Sequence, residues 1–305
     1  MLFGRHILNI GDLTKSDIDY ILSVADNIAK NPGHYSQAAA GKILATIFFE
    51  PSTRTRLSFE SAMLRMGGQV LGFSEAGTSS AVKGETPADT ARMLNSYCDV
   101  IAVRHPTPLV PHQMAAVSTV PVINAGDGAN EHPTQTLTDL VTIMSKFGRL
   151  DNLTVGLCGD LRNGRTVHSL IKALRKYPGN RFVLIAPEVL QMPKDILETL
   201  DGEGVGYTLT EEFETAFEGL DVLYMTRIQR ERFQNPTEYR RLKGIYILDG
   251  EKMSRAGKDM IVMHPLPRVD EIAPEVDCDP RAWYFEQARC GVFARMALIT
   301  GLLDN

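Results

Sequence analysis

Five arginines stand just beyond apolar runs that read as strands: Arg54 after ILATIFF (43–49), Arg104 after DVIAV (99–103), Arg165 after LTVGLC (153–158), Arg227 after DVLYMT (221–226) and Arg268 after MIVMH (260–264). A guanidinium offers fixed, paired donors that match phosphate and carboxylate. One surface arginine is ordinarily a solvated charge, and that explanation suffices for Arg240 or Arg255. Five at strand ends suggest a crest that receives small, strongly anionic ligands. The densest group is Ser52-Thr53-Arg54-Thr55, set where a strand turns into a helix. Backbone N–H groups, hydroxyls and a guanidinium converge there, at the helix end that already favours phosphate. An ordinary N-cap accounts for Ser52 but not for the Arg and Thr that follow.

Other chemistries fit less well. Gly159-Asp160-Leu161-Arg162-Asn163-Gly164-Arg165-Thr166 has the spacing of a nucleotide-binding P-loop, with Arg in place of the lysine that meets the β- and γ-phosphates. No Gly-x-Gly-x-x-Gly follows a strand, which argues against a dinucleotide fold. The 7 histidines show no paired ligand spacing, so no metal site is expected. The 4 cysteines, Cys98, Cys158, Cys278 and Cys290, form no Cys-x-x-Cys pair, so neither a zinc ribbon nor a disulfide framework is indicated.

The elements that must position these residues alternate along the chain. Thr14 and Asp17 form a capping box for a helix with an apolar stripe at Ile18, Ile21, Leu22, Ala25 and Ile28. Strands at 43–49, 69–73, 99–103 and 120–124 alternate with helices at 57–66, from Thr86-Pro87 onward, and at 133–147. Glu75 to Gly84 is a polar loop. The second half repeats the pattern, with strands at 153–158, 181–186, 221–226, 245–248 and 260–264, a weaker one at VGYTL, and a helix from Arg165 to Tyr177. The class is α/β, two doubly wound domains, each with a mostly parallel sheet flanked by helices. A length of 305 residues fits two domains, and 44% hydrophobic residues supply their cores. A net charge of −5 argues against a general binder of nucleic acid or membrane surface, while leaving room for a local basic pocket. The N-terminal stretch lacks the apolar core of a signal peptide, and no apolar run approaches a membrane span. A soluble, cytoplasmic chain is expected.

Seven segments together resemble the aspartate/ornithine carbamoyltransferase family: FFEPSTRTRLSFE (48–60), KGET (83–86), RHP (104–106), NAGDGANEHPTQTLTDL (124–140), GDLRNGRTVHSL (159–170), YMTRIQRER (224–232) and HPLPRVDEI (264–272). The resemblance spans essentially the whole chain. Ser-Thr-Arg-Thr-Arg alone marks only the wider family. His264-Pro265-Leu266-Pro267, where the ornithine branch carries His-Cys-Leu-Pro, points to the branch whose catalytic chains take aspartate. Two arginines in the second half, Arg165 and Arg227, suit the two carboxylates of aspartate, whereas ornithine would need an acidic partner.

That resemblance implies a carbamoyl-phosphate-binding domain at 1–134, with the terminal helix 290–305 packed back on it, and an aspartate-binding domain at 135–289. Ser52, Thr53, Arg54 and Thr55 would cradle the phosphate, and Arg104 would reach phosphate and carbonyl oxygens. His132 and Gln135 would meet the carbonyl oxygen and carbamoyl nitrogen, with backbone contacts from Leu266 and Pro267 across a cis bond. Lys83, Arg165, Arg227 and Gln229 would hold aspartate. Ser79 and Lys83 would enter a neighbouring chain's site, making a homotrimer with shared active sites and giving a catalytic set of Arg54, Thr55, Lys83, Arg104 and His132. Val82 stands where some relatives carry a second lysine. The implied reaction yields N-carbamoyl-L-aspartate and phosphate in pyrimidine (UMP) biosynthesis, with no cofactor or metal, closure of the two domains, and room for a separate regulatory chain.

Overall fold

The computed structural model describes residues 2–78, 80–228 and 236–304; Ser79 and Gln229, both given roles above, lie outside them. The chain divides by internal contact into one unit of Met1–Lys146 with Ala288–Asn305 and a second of Phe147–Gln287. The sequence expectation put the break at 134. The contact division runs past it because Pro133–Phe147 is one unbroken helix.

In the first unit the strands are β1 (Ile43–Phe48), β2 (Gln69–Phe73), β3 (Val100–His105) and β4 (Val122–Asp127). The helices are α1 (Lys15–Lys30), α2 (Thr53–Arg65), α3 (Pro87–Leu94), α4 (Val110–Ala115) and α5 (Pro133–Phe147). Leu44 to Phe48 is buried without alternation, as a parallel strand covered on both faces must be. Thr14 and Asp17 cap α1 reciprocally, the Asp17 amide donating to Thr14 Oγ1 at 3.1 Å and the Thr14 amide to Asp17 Oδ2 at 2.9 Å. Thr86 caps α3 ahead of Pro87 in its first turn. All pairings are parallel and the strand order is β2-β1-β3-β4. The order reverses direction between β1 and β3, the place in an open α/β sheet where loops diverge and leave a crevice.

In the second unit the strands are β5 (Thr154–Cys158), β6 (Arg181–Ile185), β7 (Tyr207–Thr210), β8 (Val222–Met225) and β9 (Ile261–Met263). They are again parallel, in the order β7-β6-β5-β8-β9, with the reversal between β5 and β8. The helices are α6 (Arg165–Leu174), α7 (Lys194–Glu203), α8 (Pro236–Leu242), α9 (Gly250–Arg255) and α10 (Tyr284–Leu303), the last beginning here and ending in the first unit.

Two sequence expectations are corrected. The IYIL run at 245–248 is not a strand: only Leu248 bridges, to Ile272. Tyr246 and Leu248 are buried while Ile245 and Ile247 are exposed, the alternating burial of an extended segment lying on the core. The 75–84 stretch is not wholly irregular, since it contains short 3₁₀ turns at Ala76–Thr78 and Ser80–Lys83. No helix among the described residues is long and apolar enough to cross a membrane.

Candidate active site

β1 and β3 deliver their charged residues to the same crevice. Phe48 and Arg104 are register partners across the two strands, and the Phe49 amide donates to the Arg104 carbonyl at 2.9 Å. Ser52 sits at the N-cap of α2 with no capping hydrogen bond from its side chain, and the first turn carries no acidic residue. The helix therefore begins with backbone donors that its own cap leaves unanswered. Arg54 lies in that turn, and its pKa is lowered by burial and by the like charge of Arg104. Two guanidiniums held together beside a helix N-terminus favour an anion. Arg104 is itself tethered: its Nη2 lies 2.7 Å from Glu50 Oε1, and its Nη1 donates to the Ala125 carbonyl at 3.3 Å. Its buried Nε has no hydrogen-bond partner among the described residues.

β4 and the start of α5 supply the other side of this crevice. Asp127, fully buried at the end of β4, accepts from the amides of Leu109 and Glu131 at 2.9 and 3.0 Å and from the side chains of Asn124 and Asn130, each at 3.0 Å. This fixes the loop that leads into His132. The His132 Nε2 lies 3.5 Å from Thr55 Oγ1, and its Nδ1 lies 3.4 Å from Thr134 Oγ1. Thr55 in α2 and His132 before α5 are thus brought together, 77 residues apart in sequence. Gln135 is one turn further along, its amide nitrogen donating to Asp139 Oδ1 at 2.8 Å. Lys83 is exposed at the end of its 3₁₀ turn.

In the second unit the reversal between β5 and β8 opens a pocket lined by Gly159, Thr226, Arg227, Tyr239, Lys243 and Glu271, among others. Gly159 has φ +116°, and a Cβ there would stand 2.4 Å from the Thr226 carbonyl oxygen, so only glycine lets the two loops meet. Arg227 lines this pocket; Arg165, half-buried at the start of α6, does not. The P-loop spacing noted in the sequence has a different use. Asp160 is buried, and its carboxylate accepts from the Asn163 amide at 3.0 Å, so the loop answers its own donor instead of presenting it to a phosphate.

Leu266-Pro267 is a cis peptide, and Leu266 has φ 52°. His264 and Glu271 support this turn: the Leu266 amide donates to His264 Nδ1 at 2.8 Å, and His264 Nε2 lies 2.7 Å from Glu271 Oε1. Arg268, one of the five strand-end arginines expected to receive an anion, is instead tied to Asp277 and to Tyr284 Oη, with its guanidinium 5.3 Å from the Tyr284 ring centre. Its charge is met within the chain, so it anchors the turn. The sequence reading gave no roles to Glu50, Asp127, His264 or Glu271. Each lies inside or beside a segment that it quoted, next to an assigned residue, and that adjacency was the available signal. Among the described residues no three His, Cys, Asp or Glu side chains gather as a metal site would require.

Two parallel α/β units, each with arginine at the carboxyl end of its reversal point, define a protein whose crests recognise anions. Residues 5–145 match the family model described as aspartate/ornithine carbamoyltransferase, carbamoyl-P binding domain, and residues 151–302 match that of the Asp/Orn binding domain. The chain is 55% identical over 303 residues to the aspartate carbamoyltransferase catalytic subunit of Clostridium kluyveri, covering 99% of each. It superimposes with a TM-score of 0.93 on the aspartate transcarbamoylase of Trypanosoma cruzi in complex with carbamoyl phosphate and aspartate, at 40% identity over 99% of this chain and 98% of that one. The M. jannaschii aspartate transcarbamoylase catalytic subunit is similar at TM-score 0.93 and 44% identity, covering 98% of both chains. The chain belongs to the aspartate/ornithine carbamoyltransferase family and is a transferase.

Proposed function

We propose that the chain transfers the carbamoyl group of carbamoyl phosphate to the amine of L-aspartate, giving N-carbamoyl-L-aspartate and phosphate. The carrying observation is the pairing of Arg54 with Arg104 beside an uncapped helix start, with the His132 imidazole next to Thr55. Ser52, Thr53, Arg54 and Thr55 hold the phosphate. Arg104 turns from Glu50 toward phosphate and carbonyl oxygens as the anion arrives. His132 donates to the carbonyl oxygen, and Gln135 with the backbone at Leu266 and Pro267 orients the carbamoyl nitrogen. Arg165, Arg227 and Gln229 clamp the two carboxylates of aspartate.

The aspartate amine attacks the carbamoyl carbon, the new C–N bond forms, and the C–O bond to phosphate breaks. The leaving phosphate takes the amine proton, so no carboxylate base is required. Carbamoyl phosphate is already activated, and no covalent nucleophile or cofactor enters. Holding the reactants together contributes ~7–11 kcal/mol toward the barrier, and a donor aimed at the developing oxyanion ~2.7–4 kcal/mol.

The working unit in this reading is a homotrimer in which Ser79 and Lys83 complete a neighbour's site. Exposed Leu57 and Leu64, seven residues apart on α2, offer apolar surface for a second copy to bury. The reaction belongs to pyrimidine (UMP) biosynthesis in the cytoplasm. Relatives named as catalytic subunits support a separate regulatory chain as a further partner. The test is product formation from carbamoyl phosphate with a panel of amino acids, in the presence of a metal chelator. Carbamoyl-aspartate should form. ATP hydrolysis dependent on magnesium, with no carbamoyl transfer, would return the P-loop alternative.

A further inference from the structure

Arg295 is a charged residue in the apolar helix α10, and only 4% of it is exposed. Nη1 donates to the Gly291 carbonyl at 2.8 Å and to Thr138 Oγ1 at 3.1 Å, and Nη2 donates to Thr134 Oγ1 at 3.4 Å. Its guanidinium carbon stands 5.0 Å from the centre of the Phe59 ring. Room for it is specific: a Cβ on Gly291 would lie 2.8 Å from Arg295 Nη1 and 3.1 Å from Thr138 Oγ1. Burial lowers its pKa to about 10, against the pull of Asp139, and the group remains charged at neutral pH. Burying a guanidinium is costly unless its partners are well placed.

The partners lead to His132. A guanidinium only donates, so Thr134 Oγ1 and Thr138 Oγ1 both accept from Arg295. Thr138 sends its own hydrogen to the Thr134 carbonyl at 2.9 Å. Thr134 has one hydroxyl hydrogen left to give, and His132 Nδ1 is 3.4 Å away. An Nδ1 that accepts from Thr134 carries no proton, so the neutral ring is protonated at Nε2, the nitrogen facing Thr55. The alternative tautomer would turn a lone pair toward the same point. The 3.4 and 3.5 Å separations are long, as in catalytic hydrogen bonds that tighten around a ligand.

We propose that Arg295 is a positioning residue which, acting through Thr134, fixes His132 as the neutral Nε2–H tautomer that a carbonyl oxygen gaining negative charge requires. This rests on the reading of His132 as the donor to carbamoyl phosphate. Arg295, buried against Thr134 and Thr138, acts through them. Its polarity is passed along hydroxyl to imidazole.

The experiment is ¹⁵N spectroscopy of the histidine rings in the full chain, with the His132 signals assigned from the His132→Asn spectrum. Wild type should show Nδ1 as an unprotonated acceptor and Nε2 as protonated. Thr134→Val should admit the Nδ1–H form and lower kcat by about tenfold, part of the ~10²–10³ lost with an oxyanion donor, with the KM for aspartate little changed. Thr134→Ser should restore both tautomer and rate. Arg295→Met should resemble Thr134→Val, and if it does not fold, the two Thr134 variants decide. An unaltered tautomer in Thr134→Val overturns the proposal, whether or not the rate falls. A wild type with the Nε2–H ring but no carbamoyl transfer leaves the tautomer relay standing and rejects the proposed function instead.

Discussion

His264 Nε2 lies 2.7 Å from Glu271 Oε1, both side chains buried, on the two arms of the turn that carries Leu266 and Pro267. The Leu266 amide donates to the other ring nitrogen, Nδ1, so the imidazole presents its Nε2–H to Glu271 and joins the turn's first arm to its last. Glu271 Oε2 in turn accepts from the amides of Val269 and Asp270, each at 3.1 Å. One imidazole and one carboxylate thus set the path of the segment assigned to backbone recognition of the carbamoyl group.

Acid stability should report that arrangement. Burial pushes the Glu271 pKa up, but the hydrogen bonds from His264 and the Val269 amide outweigh it and leave the group below the ordinary carboxylate range. A lowered folded pKa contributes stability that is present above the unfolded value, ~4.3, and is lost as pH falls through the folded value. Glu271→Gln should cost ~1–3 kcal/mol at neutral pH, as a buried bond network loses its ionic acceptor. The gap between variant and wild type should narrow toward pH 3. Denaturant unfolding at stepped pH measures it, and a gap that widens on acidification contradicts the assignment.

A second expectation concerns the crest of β1 and β3. If Arg54 and Arg104 meet a phosphate, Arg54→Ala should weaken inorganic phosphate binding by about 10- to 100-fold, from ~1.5–3 kcal/mol for a hydrogen bond between charged groups. The wild-type affinity should also fall with rising salt. Titration calorimetry at two ionic strengths is sufficient. Equal phosphate affinity in Arg54→Ala and wild type moves the phosphate elsewhere.

The pocket between β5 and β8 makes a separate claim about the acceptor. With Arg227 on its wall, L-aspartate should be carbamoylated and L-ornithine should not. Arg227→Ala should reduce kcat/KM for aspartate by ~2–5 kcal/mol, the range for leaving one charge of a desolvated pair unmatched. Turnover of ornithine with none of aspartate, or an undiminished Arg227→Ala, would count against the carboxylate site.

Much of this was legible because parallel strands declare themselves. Runs such as ILATIFF and LTVGLC are buried on both faces, so they carry no alternation to misread, and their ends locate the crest. The IYIL run misled because its apolarity is real: Tyr246 and Leu248 do turn inward, yet no neighbouring strand pairs with the segment beyond a single bridge. Pattern reports burial, whereas a strand also needs a partner. Arginine posed the same limit. Arg54 and Arg268 look alike in sequence, and what separates them is Asp277, nine residues from Arg268, together with Tyr284. Arg295 is the one charged residue of the otherwise apolar stretch 291–303, and such a charge in an apolar run is itself a signal that polar partners await it.

The last expectation is that each active site is shared between chains. Lys83 ends a short 3₁₀ turn and is exposed, ten residues beyond the end of β2, whereas Arg104 lies near the end of β3 and Arg54 in the first turn of α2. Within one chain it has the character of a solvated loop charge. It becomes a catalytic group only if a neighbour's anions lie within its reach. Arg54→Ala and Lys83→Ala should then each be nearly inactive, the first for want of the phosphate cradle and the second for want of the lysine lent across the interface. Chains exchanged between the two variants should rebuild some sites with Arg54 from one copy and Lys83 from the next, restoring a fraction of wild-type activity. Native mass spectrometry identifies the hybrids independently of rate. Hybrids that form and remain as inactive as their parents would show that Lys83 serves its own chain's site, and the shared arrangement would be rejected.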